Sequence, residues 1–332
     1  MTDNATILLA TAAIAFALSC LTMAALLGSG IAARLAIDLP NQRSLHANPT
    51  PRVGGIAVLT GVLAALLLAG GEYAASGLAL ACLAVLSFAD DRGGLPIGLR
   101  LFSHFLVGAA WLIFGAGFPA GWTGLLLTVA IVWSINLYNF MDGADGLAGG
   151  MAALGFAFCA FAAWLAGDMH IARVGVAASA AATGFLLFNF PPARSFLGDA
   201  GSIPLGFLAA AFAIEGWQRG AWPPWFPLLV FSPFVVDASA TLLRRIFGSA
   251  QFWRAHREHY YQRLVRMGWS HRRLALAEYA LMAGAGGSAM LMLDLAPVLQ
   301  AAGIGVWAFI YLGLMTIVDR RWKRIVACES AA

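Results

Sequence analysis

The sequence predicts an all-α fold: a polytopic integral membrane bundle of about eleven transmembrane helices, N-terminus outside and C-terminus inside. Three observations predict it. Of 332 residues, 61% are hydrophobic and only 11% charged, with a mean hydropathy of +0.80. A soluble domain carries about 45–50% apolar and about 25% charged residues, and one of this size cannot hide such an excess. The apolar residues also gather into runs near the roughly 20 residues that cross a bilayer. Finally, of the 20 basic residues only Arg173 and Arg219 fall outside when the runs are threaded in order, which leaves 18 inside. A soluble enzyme, a disulfide scaffold, a coiled coil and a disordered chain are excluded. A net charge of +4, with Lys323 the one lysine, reads in so apolar a chain as membrane decoration, not nucleic-acid binding.

The first run, 5–33, has Asp3 and no basic residue before it, which predicts a retained span and not a cleaved signal. Further spans are predicted at 54–70, 74–89, 99–117, 121–140, 147–166, 170–190, 202–216, 222–243, 277–297 and 302–318. The outer loops between them are short and plain, as in Gly70-Gly71-Glu72 and Gly167 to His170. The inner loops, near 36–53, 90–98, 139–147, 190–202 and 244–275, carry nearly all the unusual residues. The chain therefore reads as a single transmembrane domain, 1–332, whose chemistry faces the cytoplasm. Cys20, Cys82 and Cys159 sit in apolar runs and Cys328 in the polar tail, with no metal or disulfide spacing.

Five inner-loop clusters carry the argument. They are Arg43-Ser-Leu-His46 through Arg52-Val-Gly-Gly55; Asp90-Asp91-Arg92-Gly93-Gly94; Asn136-Leu-Tyr-Asn139-Phe-Met-Asp142-Gly-Ala-Asp145-Gly146; Asn189 through Arg194-Ser-Phe-Leu-Gly198-Asp199-Ala-Gly201-Ser202; and His256-Arg257-Glu258-His259-Tyr-Tyr-Gln-Arg263. Asp90, Asp91, Asp142, Asp145 and Asp199 each lie at or beside the end of an apolar run. Ionisable groups there are costly unless paired or set around a wet cavity. Any one of them could simply cap a helix; five on one membrane side make a poor set of caps. Converging acids repel unless a hard divalent cation joins them, and all-oxygen ligation suits Mg²⁺ or Mn²⁺. Mg²⁺ takes one or two protein carboxylates, so not all five are ligands.

Gly143, Gly146, Gly198 and Gly201 let backbone approach a ligand, and free N–H groups at helix starts bind phosphate. Gly149 and Gly150 read as helix-packing positions. Arg43, His46 and Arg52, with His256, Arg257 and His259, offer donors for a diphosphate. Arg266, Arg272, Arg273 and Arg320 to Arg324 read as lipid-headgroup contacts. Asp237, inside the ninth run, is either a packing contact or a functional group. Acids for a metal, backbone for phosphate and Arg/His donors together suit phosphoryl transfer, which needs positioning and charge neutralisation above all. A membrane-surface site suggests one water-soluble and one lipid substrate.

At residues 34–275 the chain resembles the polyprenyl-phosphate N-acetylhexosamine-1-phosphate transferases, which start O-antigen, enterobacterial common antigen and murein synthesis. Asp90-Asp91, Asn139-Phe-Met-Asp142-Gly-Ala-Asp145-Gly-Leu and Phe196-Leu-Gly-Asp199-Ala-Gly-Ser202 match in order and in topology. The resemblance implies transfer of a sugar-1-phosphate from a UDP-N-acetylated amino sugar to undecaprenyl phosphate, with Mg²⁺, giving undecaprenyl-diphospho-sugar and UMP at the cytoplasmic face of the bacterial inner membrane. It implies Asp199 first, with Asp91, as metal ligand. Asp90 would activate the lipid phosphate or act as nucleophile, supported by Asp91, and Asp142, Asp145 and Asn189 would stand at the nucleotide and metal. Arg43, His46, Arg52, Asn139, His256, Arg257 and His259 would bind substrate. A homodimer is also implied.

Murein-type members have a Lys after the tandem acids and consecutive histidines in the last loop. Here the residues are Arg92-Gly93-Gly94 and His256-Arg257-Glu258-His259, which favours the subgroup that starts O-antigen or another surface polysaccharide over a phospho-MurNAc-pentapeptide transferase. A CDP-alcohol phosphotransferase would need an Arg that Asp142-Gly-Ala-Asp145-Gly-Leu lacks. A transporter or lipid flippase would need charges near mid-span and paired repeats, and apart from Asp237 and Asp294 the spans are clean.

Overall fold

The computed structural model describes residues 2–40, 45, 48–69, 73–119, 121–248 and 257–331. Among them are fourteen helices and one two-stranded ribbon. In chain order the helices are α1 (Thr2–Gly28), α2 (Ala32–Leu35), α3 (Gly54–Ala69), α4 (Ala74–Gly93), α5 (Ile97–Phe114), α6 (Trp122–Phe140), α7 (Leu147–Leu165), α8 (Met169–Asn189), α9 (Asp199–Gln218), α10 (Trp225–Val230), α11 (Ser232–Phe247), α12 (Tyr260–Arg266), α13 (His271–Met292) and α14 (Pro297–Ala331). The ribbon pairs β1 (Ile37–Asp38) with β2 (Thr50–Pro51), antiparallel.

The chain is an all-α membrane protein: among the described residues nine helices, α1, α4 to α9, α13 and α14, are long and apolar enough to cross a bilayer. The second predicted span is the shorter α3, and the ninth is broken in two at Phe231. The break has a local cause. Pro233 has no N–H to give the Leu229 carbonyl one turn earlier. The Ser232 hydroxyl donates to that carbonyl instead, at 2.6 Å, and also meets the Tyr311 hydroxyl at 2.6 Å, which ties the break to α14.

The bundle is built around α9, the most enclosed of the long helices, with α4 and α6 against it. A second group packs α8 against α1, α3 and α7. Small residues make these approaches close, as small side chains do between helices in lipid. A Cβ on Gly175 of α8 would lie 2.9 Å from the Ala160 Cβ of α7. Helix α14 is almost wholly open to the surroundings. Side chains cap several helix starts among the described residues, two of them in the usual N-cap position. Asp168 accepts the Ile171 N–H, and the Ser270 hydroxyl accepts the Arg273 N–H.

Candidate active site

At one end of the bundle the C-termini of α4, α6 and α8 meet the N-termini of α3, α7 and α9. Residues 36–40 and 48–55 are woven into this end. Phe196 donates its N–H to the Pro51 carbonyl (2.8 Å), and the N–H groups of Gly54 and Gly55 reach the carbonyls of Phe196 and Leu197 (2.9 and 2.8 Å). The starts of α3 and α9 then touch backbone to backbone. A Cβ on Gly201 would lie 2.6 Å from the Gly55 Cα, so both positions require glycine. Gly198, at φ +73°, turns the chain into α9. This weave sets Arg52 beside Asp199 and the tandem acids of α4.

Two arginines hold the acids. The Arg52 guanidinium lies 2.6 Å from Asp38 and 3.5 Å from Asp91. Burial opposes its charge, yet the bond to Asp38 and the nearby Asp91 and Asp199 hold its pKa above the ordinary arginine value. Arg100, at the start of α5, lies 2.7 Å from Asp90 and 3.9 Å from Asp199. Asp90 also accepts the Leu95 N–H, and Asp91, whose side chain is only 2% exposed, accepts the Ala200 N–H at the start of α9 (3.4 Å). The adjacent acids thus face different partners, one toward α5 and one toward α9.

Asp142 lies in the turn between α6 and α7 and accepts the Gly198 N–H. Burial first, then the charge on Asp199, push its carboxyl above the usual range, against the relief that Arg52 gives. Asn139 accepts the Ser202 hydroxyl at 2.9 Å and bonds to the Asp199 carboxylate. Asn189 accepts the Gly146 N–H and donates to the Ser195 carbonyl, both at 2.9 Å, which fixes its amide orientation. Asp145 accepts the Ala193 N–H (3.1 Å) and pairs with His271 Nδ1 (3.0 Å).

These groups surround one cavity of about 260 Å³. Of the residues singled out from sequence, Arg52, Asn139, Asp142, Gly143, Asp145, Asn189, Gly198 and Asp199 line it. Asp90 and Asp91 stand behind it, joined through Arg100 and Arg52. Arg257 and His259 are not among its lining residues. His259 is buried, with Nδ1 3.2 Å from Asp237, and its ring stacks on Tyr261. Asp237, for which the sequence allows either a packing or a functional role, also accepts the Tyr260 and Tyr261 N–H groups (2.9 and 3.0 Å) and so caps α12. Arg43, His46 and His256 lie outside the described residues. The sequence reading does not single out Asp38 and His271, which line the cavity, or Arg100, which braces it, and it gives no role to Phe196 and Gln262, which line it from within two of the quoted motifs. Asp38 and His271 carried a usable signal, polar groups on the same side as the other acids.

The donor set here is oxygen throughout: carboxylates of Asp142 and Asp199 and the amide of Asn139. That set fits a hard divalent cation. Among the described residues no three acids or histidines converge closely enough to hold an ion unaided. A cation that takes one or two carboxylates and completes its shell with water and phosphate oxygens needs no such trio.

A second cavity, about 310 Å³, runs down the bundle between α6, α9, α10 and α11. Its wall is almost entirely apolar and includes Trp133, Trp217, Phe231 and Phe234. Tyr138, one turn before Asp142, lies at its edge.

Residues 73–217 match the family model for glycosyl transferase family 4. The decaprenyl-phosphate N-acetylglucosaminephosphotransferase of Mycobacterium leprae is 30% identical over 292 residues, which cover 74% of this chain and 73% of the relative. The undecaprenyl-phosphate alpha-N-acetylglucosaminyl 1-phosphate transferase of Yersinia pestis is 30% identical over 259 residues, 71% of each chain. The probable undecaprenyl-phosphate N-acetylglucosaminyl 1-phosphate transferase of Bacillus subtilis is 29% identical over 267 residues, 74% of each.

Proposed function

The chain belongs to glycosyl transferase family 4, and on that premise we propose that it transfers a sugar-1-phosphate from a UDP-N-acetylated amino sugar to undecaprenyl phosphate. The products are undecaprenyl-diphospho-sugar and UMP. An oxygen of the lipid phosphate bonds to the β-phosphorus, and the bond from that phosphorus to the bridging oxygen breaks, so that UMP leaves with the electron pair. The reaction starts a cell-surface polysaccharide at the cytoplasmic face of the inner membrane, the side to which the arginine asymmetry assigns the inner loops.

One observation carries this reading: Asp142 and Asp199, from separate parts of the chain, line one cavity with Arg52, while Asp91 and Arg100 back it through Arg52 and Asp199. Phosphoryl transfer is mostly positioning and charge stabilisation. Asp142, Asp199 and Asn139 would hold Mg²⁺, or Mn²⁺, which neutralises diphosphate charge when bound. Arg52 and Arg100 place fixed positive charge beside the reacting phosphates. Asn189 and Asp145 stand where a nucleotide would lie, away from the lipid side. Asp90 and Asp91 orient Arg100 and Arg52, a supporting task alongside the activating role that the resemblance implies. The apolar cavity beside Tyr138 supports a lipid substrate, since an isoprenoid chain can lie against it while its phosphate reaches Asp142.

The test is UMP release in membranes supplied with undecaprenyl phosphate and a panel of UDP-amino sugars. Release with one or more donors, dependent on added lipid phosphate, is expected. Movement of lipid without UMP release would instead favour a flippase.

A further inference from the structure

We propose that Asp319, on the last helix and outside the cavity, is a positioning residue that sets one wall of the active site through α12. The inference rests on the reading of that cavity as a sugar-nucleotide site. Helix α12 has seven residues, too few to be stable alone. It nevertheless forms part of the cavity: Gln262 lines it. The Tyr261 hydroxyl donates to the Phe140 carbonyl (3.0 Å), just ahead of Asp142, and a Cβ on Gly143 would collide with that hydroxyl. Where α12 sits therefore decides where Gln262 and the Asp142 turn sit.

Two clamps from other helices hold it. At its start is the Asp237 cap described above. On its flank is Asp319 of α14, which accepts from Arg263 (2.7 Å), Arg244 (3.1 Å) and the Tyr260 hydroxyl (3.2 Å). Three residues further along α14, on the same helix face, the Trp322 ring faces the Arg266 and Arg263 guanidiniums at 4.4 and 5.7 Å. A lone exposed ion pair is weak, but one carboxylate shared by two arginines and a tyrosine is a network. Remove Asp319 and the Arg244 and Arg263 charges repel across the face that α12 presents to α14. The start of α12 stays pinned by Asp237, so its body swings and Gln262 moves.

Asp319→Ala is expected to raise KM for the sugar nucleotide about tenfold, with kcat within about twofold and KM for the lipid phosphate unchanged. Asp319→Glu should recover most of the loss. Gln262→Ala should show the same KM shift, and the double variant should be no worse than either single one, because both act on one wall. Lys323→Ala, exposed on the same helix, should behave as wild type. Hydrogen exchange gives a readout independent of activity: amides of 260–266 should exchange about tenfold faster in Asp319→Ala, with α7 unchanged. If Asp319→Ala does not accumulate, Asp319→Asn is measured in its place. Unchanged protection, an unchanged donor KM, or full additivity with Gln262→Ala would overturn the proposal. A wild-type protein inactive on every UDP-amino sugar would remove the reading of the cavity, while the exchange measurement would still decide the clamp.

Discussion

The Arg100 guanidinium lies 2.7 Å from the Asp90 carboxylate, across the tight connection between α4 and α5. The Asp90 side chain is only 8% exposed and faces that arginine, and the same guanidinium reaches toward Asp199 at 3.9 Å. Arg100→Ala strands a buried carboxylate and removes a positive charge from the reacting phosphates. Loss of one preorganised donor costs about 10²–10³ in kcat. UMP release should fall by that order, with the melting temperature of the purified protein also lowered. Arg100→Lys should keep the charge, recover stability first, and recover turnover only partly, because an ammonium cannot serve two carboxylates with a planar fork. Equal turnover in wild type and Arg100→Ala would exclude Arg100 from the site.

Asp199 opens α9 and bonds to Asn139, which in turn receives Ser202. Asp199→Asn keeps the shape and removes the negative charge. Because Asn139 and Ser202 still hold the start of α9, the variant should insert and accumulate normally. UMP release should drop below about one hundredth of wild type, the scale of losing one electrostatic element of a catalytic centre. Turnover near wild type would take Asp199 out of the proposed metal site.

Much of this was legible in the sequence, because the bilayer imposes a simple rule. Runs of the right length and apolarity become helices, and all eleven predicted runs are helical along most of their length. The acids were legible for the same reason: Asp142 and Asp199 have no cheap place at the end of an apolar run. The break at Phe231 escaped a hydropathy reading, since Pro227 and Pro233 change hydrogen bonding without changing apolarity. Arg100 carries no signal in the sequence beyond its place on the inner side, and only the packing of α5 beside α4 returns it to Asp90. His259 reads from sequence as a phosphate donor, and its contact with Asp237, 22 residues earlier in an apolar helix, is not visible there. Pairings of that kind are tertiary, and local pattern does not encode them.

The touching starts of α3 and α9 make a stability prediction. Gly55→Ala or Gly201→Ala would force backbone apart at a point where neither helix has a flexible side chain to yield. Overpacking of this kind costs about 1–3 kcal/mol. Both variants should melt earlier and lose activity together with stability, since the same contact sets Arg52 against Asp91. Gly28→Ala, where an added Cβ meets nothing within 4 Å, is the control and should be neutral. Normal melting of Gly201→Ala would mean the two helix starts are further apart than described.

The last prediction concerns the metal. Asp142 is enclosed beside Asp199, and burial and that neighbouring charge push its carboxyl above the usual range. Arg52 relieves part of this at Asp142, and Arg100 with Arg52 at Asp199, but Arg52 is already bound to Asp38 and Arg100 to Asp90. A sugar nucleotide entering the cavity adds further negative charge next to these acids. Fixed cations so engaged cannot follow that charge; Asp142 and Asp199 would hold a divalent ion, which would supply the missing positive charge. EDTA should therefore stop UMP release, and Mg²⁺ should restore it, with Mn²⁺ a working substitute. Asp142→Asn should raise the Mg²⁺ concentration needed for half-maximal rate by about tenfold, the lower end of what changes in a metal's ligand environment cost in affinity. Asp145→Asn, whose carboxylate is engaged by His271 and the Ala193 N–H, should leave the Mg²⁺ requirement where it was. Chelator-resistant turnover, or a Mg²⁺ requirement moved equally by both substitutions, would mean that the acids serve the arginines alone.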